Sequence, residues 1–154
     1  MRFSFTTEDI EPAGRFEGFR DHLVRRLFQL DLVDRSQDPY RGIVELDVTG
    51  SAVFGRVCGS AADFIRSRDV ARRCEEGAWL LLAREGRVGV AQGDVEAILN
   101  PGEGIVFDAG DPHFGRCLGQ SDTWIIQVRD DVIRPPPPRD LGARTQLLDS
   151  RART

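Results

Sequence analysis

Apolar side chains recur along this chain with two different periods. From Phe16, the positions Phe16, Phe19, Leu23, Leu27 and Leu30 step by three and four residues, which puts them on one stripe of an amphipathic helix over about residues 15–31. Pro12 and Gly14 lie before its start. Arg20, Asp21, Arg25 and Arg26 fill the opposite face. His22 stands beside the stripe as a surface or boundary histidine, since nothing near it in sequence completes a ligand set. Between Arg41 and Val128 the period becomes two-fold, in short segments punctuated by glycine. The pattern predicts eight strands: Ile43–Val48, Val53–Cys58, Trp79–Ala83, Val88–Gln92, Val95–Leu99, Ile105–Asp108, His113–Leu118 and Thr123–Val128. Separators such as Thr49-Gly50-Ser51, Arg84-Glu85-Gly86-Arg87, Gln92-Gly93-Asp94 and Gly119-Gln120-Ser121-Asp122 are short and polar, so neighbouring strands pair antiparallel through hairpins. That spacing argues for a sandwich or barrel over about residues 41–128 rather than a βαβ sheet.

The stretch LNPGEGIVFDAGDPH, residues 99–113, supplies detail. In Asn100-Pro101-Gly102-Glu103, proline presets the first central dihedral and glycine accepts the positive φ of the second, which is a type II turn between two strands. Ile105 and Phe107 then point to one face and Val106 to the other. A second turn, Asp108-Ala109-Gly110-Asp111, leads to Pro112 and His113. Beyond Val128 the alternation stops at Asp130-Asp131, and Pro135 to Pro138 form a run without backbone donors that favours an extended strap or linker. Leu147 and Leu148 read as the start of a helix. The expected organisation is therefore one domain over 1–134, followed by a Pro-rich extension over 135–154 that opens a cut-short C-terminal helical segment.

Composition narrows the function classes. At 154 residues and 40% hydrophobic, the chain suits one globular domain that buries roughly two thirds of its unfolded surface. With 21 basic against 25 acidic groups, a formal charge of -4 gives a nucleic-acid backbone no general reason to bind. All the basic residues are arginine, which is the mark of a GC-rich genome more than of guanidinium chemistry. The N-terminus carries Glu8, Asp9 and Glu11 and lacks the apolar core of a secretory signal, and no run approaches transmembrane length. Cys58, Cys74 and Cys117 are odd in number and widely spaced, as expected of reduced thiols in a cytoplasm.

The chemistry-bearing residues point to binding. A catalytic metal in a small barrel needs three or four ligands, most often histidines on adjacent strands, and this chain owns two histidines of which one lies on the helix. No metal, cofactor or catalytic residue is expected. Ser60, Ser67 and the cysteines lack a nucleophile-elbow or Cys-His signature, and no glycine-rich loop joins a strand to a helix as a phosphate cradle. Small barrels bind organic ligands through aromatic walls and a few polar groups. Phe54, Phe64, Trp79, Phe107, Phe114 and Trp124 can supply the walls, or simply fill a core. Arg66 and Arg68, flanking Ser67, can reach an anion or lie on the surface.

The stretch at 99–113 also resembles the second motif of cupins, where a Pro-Gly turn is followed by a strand and a histidine, although the histidine-rich first motif is absent. That loss resembles cupin domains that sense ligands without a metal. More specifically, RFEGFRDHLVRRLFQLDL (15–32), SAADFIRSRDVA (60–71), WLLLAREGRVGVAQGDVEAILNPGEGIVFDAGDP (79–112) and WIIQVRDDVI (124–133) resemble, in order, the N-terminal domain of AraC/XylS-type transcriptional regulators. The most specific part runs through Gly86, Val88, Gln92, Gly93, Leu99, Pro101, Gly102 and Asp108, while Arg66-Ser67 stands where the family usually has Arg-Thr. The resemblance implies a cupin-like double-stranded β-helix, a jelly-roll barrel with an N-terminal helix. Its implied role is the effector-binding or dimerisation part of a regulator, with a small-molecule effector, a homodimer, no membrane, and DNA contacted only through a C-terminal helix-turn-helix domain that this sequence does not include. It leaves open a truncated piece or a stand-alone relative. On this reading Trp79, Phe107, His113 and Trp124 form the ligand pocket and Arg66 anchors a polar group. The alternative is a small stand-alone cupin enzyme, an isomerase or dioxygenase.

Overall fold

All eight expected strands form, five of them longer than the alternation alone predicts, two with the expected bounds and one a residue shorter. The computed structural model describes residues 1–21, 28–73, 77–129 and the backbone of 146–149. In chain order the strands are β1 (Arg2–Thr6), β2 (Asp31–Asp34), β3 (Gly42–Val48), β4 (Ala52–Gly59), β5 (Ala62–Arg66), β6 (Gly77–Glu85), β7 (Val88–Gln92), β8 (Val95–Leu99), β9 (Glu103–Asp108), β10 (His113–Cys117), β11 (Ser121–Arg129) and β12 (Gln146–Asp149). Two short helices, α1 (Arg15–Phe19) and α2 (Arg68–Ala71), accompany them.

Every pairing is antiparallel, in a seven-stranded sheet ordered β1-β3-β4-β11-β6-β9-β12 and a five-stranded sheet ordered β2-β5-β10-β7-β8. From β4 onward the chain passes repeatedly from one sheet to the other, which is the winding of a cupin-like jelly roll. The two-residue period then sorts each strand into an inner and an outer face. Along β6, Gly77, Trp79, Leu81 and Ala83 are buried, and along β7 the buried positions are Val88, Val90 and Gln92. The apolar core lies between the sheets and includes Val44, Leu46, Leu99, Ile105 and Phe107, all at most 2% exposed.

The Asn100–Glu103 turn forms as expected, with the Glu103 N–H donating to the Asn100 carbonyl at 2.9 Å and Gly102 at φ 91°. A second glycine is needed for space: the inward face of Gly115 lies beneath the Phe64 ring, and a β-carbon there would collide with it.

Four strands escape the sequence pattern, and two expectations are corrected. The helix does not extend to residue 31. Gln29 adopts φ 50°, a left-handed conformation that closes a helix, and Asp31 already begins β2, which pairs with β5. Leu147 and Leu148 begin no helix, because their segment is β12, whose backbone pairs with β9. Four residues are too few to nucleate a helix unaided, whereas the edge of β9 offers unmatched backbone donors and acceptors. His22, Leu23, Arg25, Arg26, Leu27, Cys74 and the Pro135–Pro138 run lie outside the described residues. No helix among the described residues is long and apolar enough to cross a membrane.

Candidate functional site

The two sheets do not fill the space between them completely. A cavity of about 100 Å³ remains, lined by Val57, Trp79, Leu81, Phe107, Thr123 and Ile125 from the larger sheet. Leu32, Ala62, Phe64, His113 and Cys117 line it from the smaller one, with Phe19, Phe28, Leu30 and Tyr40 contributed by the N-terminal segment and the loop before β3. The lining is almost entirely carbon.

His113 opens β10 because the preceding turn is held rigidly. The Gln92 side chain grips that turn from β7: its amide donates to the Asp108 carbonyl at 2.9 Å and the Asp111 carbonyl at 3.3 Å, and its oxygen accepts the Asp108 N–H at 2.9 Å. The Asp108 carboxylate accepts the Gly110 N–H at 2.9 Å. The Gln92 and Asp108 positions of the sequence motif are therefore the clamp that places the histidine. The imidazole faces the Asp111 carbonyl through Nδ1 at 3.3 Å and stacks on Phe107, with ring centroids 4.9 Å apart. Burial, assisted by the charge of Arg66 directly across the strand pair, pulls its pKa from 6.5 to about 4. Near neutral pH it is an uncharged imidazole whose Nδ1–H donates to Asp111, so Nε2 carries a lone pair.

Arg66, expected to anchor a polar group of a ligand, stands behind the cavity wall. It is 2% exposed and does not line the cavity. Its guanidinium donates to the Phe28 carbonyl at 2.6 Å and the Ala109 carbonyl at 2.7 Å, and lies 5.5 Å from the centre of the Trp79 ring. It thus ties the N-terminal segment to the turn before His113, behind a wall in which Phe28 meets Trp79 edge-on at 5.3 Å.

Trp124, expected in the pocket, is not in the cavity lining either. Its β11 neighbours Thr123 and Ile125 line the cavity, so the pleat turns Trp124 outward, where it is 37% exposed beneath the Arg84 guanidinium. Phe54 and Phe114 likewise lie outside the cavity lining, Phe54 exposed and Phe114 under Arg116. Arg68 caps nothing in the cavity and opens α2. Trp79, Phe107 and His113 are brought together as expected, and Phe64 joins them. The wall contributed by Phe28 and Tyr40 is missed by sequence reasoning, because Phe28 falls off the stripe of the expected helix and Tyr40 lies in no periodic segment. Phe19 carried a signal, as part of the helical stripe.

Among the described residues no three His, Cys, Asp or Glu side chains gather as a metal-binding group. Among the described residues the most deeply buried carboxylate is Asp63, which faces away from the cavity between Arg116 and Arg35.

Residues 19–153 match the AraC-binding-like domain. The chain belongs to that family. No curated protein matches the sequence at a significant level. Among solved structures, the AraC-like transcriptional activator CuxR aligns with a TM-score of 0.70 and 19% identity, over 86% of this chain and 48% of that protein. The chain thus spans about half the length of that activator, and the likeness is one of fold. A cupin superfamily protein of Desulfitobacterium hafniense aligns over 64% of this chain and 84% of its own (14% identity, TM-score 0.47). The cupin domain of Schizosaccharomyces pombe Cnp3 aligns over 62% and 69% respectively (10% identity, TM-score 0.48). The AraC-binding-like membership makes this a regulatory ligand-binding domain.

Proposed function

We propose that this AraC-binding-like domain senses a small-molecule effector in the cavity between its sheets and passes occupancy to an attached DNA-binding domain. The observation that carries the reading is the carbon-lined cavity itself, with a single neutral imidazole placed in it by the Gln92 clamp. Catalysis is not part of it: one imidazole in the lining offers a contact, whereas metal-dependent cupin chemistry asks for several ligands. The formal charge of -4 leaves phosphate contacts to another domain of a regulator, in a homodimer working in the cytoplasm.

Transmission follows from Arg66. Because the same guanidinium holds Phe28, Ala109 and the face of Trp79, a ligand that moves the Trp79–Phe28 wall changes the tether of the N-terminal segment. Effector binding then shifts the balance between two arrangements in proportion to its differential affinity for them.

A thermal-shift screen against small metabolites tests the reading. An effector raises the melting temperature by mass action, and the cavity-filling change Ala62→Leu abolishes that rise. Hits unaffected by Ala62→Leu, or stoichiometric iron, manganese or nickel with turnover, would contradict it.

A further inference from the structure

The cavity lining assigns a chemical class to the effector, an inference that rests on reading this cavity as the effector site. Among the described residues no Asp, Glu or Arg side chain lines it. Its titratable groups stay neutral: burial raises the pKa of the Tyr40 hydroxyl and the Cys117 thiol and lowers that of the His113 imidazole. A carboxylate or ammonium entering this space loses its water and, among the described residues, finds no charged side chain in the lining to contact.

Most of the polar lining is already committed. The Thr123 hydroxyl donates to the Val57 carbonyl at 3.1 Å, Ser60 Oγ accepts the Arg41 N–H at 2.9 Å, and Ser121 hydrogen-bonds the Cys117 thiol. A sugar, with a hydroxyl on nearly every carbon, would leave most of them unmatched. Besides the Tyr40 hydroxyl, two complementary groups stand in the part of the wall around Phe107. The first is the lone pair of His113 Nε2, since the ring's recorded hydrogen bond uses Nδ1. The second is the Trp79 Nε1–H, which is buried with no hydrogen-bond partner. They adjoin through Phe107, which stands directly opposite Trp79 across the β6–β9 pair and stacks on His113. A buried donor left unmatched is a group that a ligand acceptor can satisfy.

We propose that the effector is a small uncharged aromatic alcohol of about phenol size, whose ring occupies the carbon-lined space and whose hydroxyl donates to His113 Nε2 and accepts from Trp79 Nε1–H. A hydroxyl donates and accepts at a single atom, which is what these two partners ask for. The volume of about 100 Å³ is on the scale of a single-ring ligand.

Calorimetric titration of the chain at pH 7.5 with phenol, anisole, benzoate and glucose tests the class. Phenol binds about tenfold or more tighter than anisole, which accepts but cannot donate, and neither benzoate nor glucose binds. In His113→Phe the preference for phenol over anisole falls to about twofold or less. Because the comparison of phenol with anisole needs only the unaltered chain, it decides the matter even where the variant does not fold. Benzoate or glucose binding that Ala62→Leu abolishes overturns the class and leaves the effector reading intact. Phenol no tighter than anisole, or no binding by any of the four, overturns the class as well, and the effector reading then rests on the wider metabolite screen.

Discussion

His113 and Phe107 stack with their planes 15° apart, one from each sheet. The histidine therefore bridges the sheets as an aromatic plate, and its protonation is coupled to the fold. With a pKa of about 4 in the native state against 6.5 when free, it binds fewer protons than the unfolded chain between those values. Its contribution is complete above pH 6.5 and is lost as pH falls toward 4, by about 1.4 kcal/mol per pH unit at most and about 3 kcal/mol in all. Replacing His113 by Phe keeps the plate and removes the proton. Urea midpoints between pH 7.5 and 4.5 decline less steeply in His113→Phe than in the parent; equal slopes would contradict the buried neutral imidazole.

Arg66 holds two buried carbonyls and supports Trp79. Arg66→Met strands both carbonyls and costs about 2–4 kcal/mol in chemical denaturation. It also removes the charge that helps to depress the His113 pKa, so the imidazole titrates at higher pH in this variant. An NMR titration of the His113 ring reads that rise directly. Amide exchange around Phe28 and Ala109 quickens in the same variant.

Asp63 is 1% exposed and is gripped by Arg116 at 2.6 and 2.9 Å and by Arg35 at 2.9 Å. The Arg116 hydrogen bonds, and then those of Arg35, hold its pKa below the usual carboxylate range against the opposing effect of burial. Asp63→Asn therefore costs about 1–3 kcal/mol at pH 7. Because the native carboxylate sheds its advantage as pH falls through its lowered pKa, the gap between parent and variant closes in strong acid. Stability curves that run parallel from pH 7 to 2 would contradict this.

The barrel was legible in the sequence because its central strands obey a clean two-fold period and its turns use residues with fixed dihedral roles, as at Pro101-Gly102. The strand β5 was not, since Asp63 and Arg66 occupy buried positions where the pattern asks for apolar groups. Their burial is made tolerable by partners distant in sequence, Arg116 and Arg35 for one and the Phe28 and Ala109 carbonyls for the other. The same long-range dependence explains the site. Trp79, Phe107 and His113 were readable as aromatic or imidazole positions on strands, but on β11 the alternation puts Trp124 and Ile126 on one face and Thr123 and Ile125 on the other, and the structure turns the more apolar of the two faces outward. Phe28 and Tyr40 belong to the wall only because the chain folds back over it, which no local period encodes.

The two tryptophans now separate cleanly, Trp79 buried in the wall and Trp124 on the outer face. Trp124→Phe leaves Trp79 as the single indole, with blue-shifted emission and weak quenching by acrylamide, and changes effector affinity by less than about twofold. A tenfold loss would mean that the outer face takes part in binding.

The central claim is that the effector occupies the space between the sheets. Intermolecular nuclear Overhauser effects, measured on the chain saturated with a hit from the metabolite screen, locate the ligand directly. Contacts from the ligand to Trp79, Leu81, Phe107 and His113 are the predicted result; contacts confined to Phe54, Trp124 and Ile126 on the outer face would contradict it.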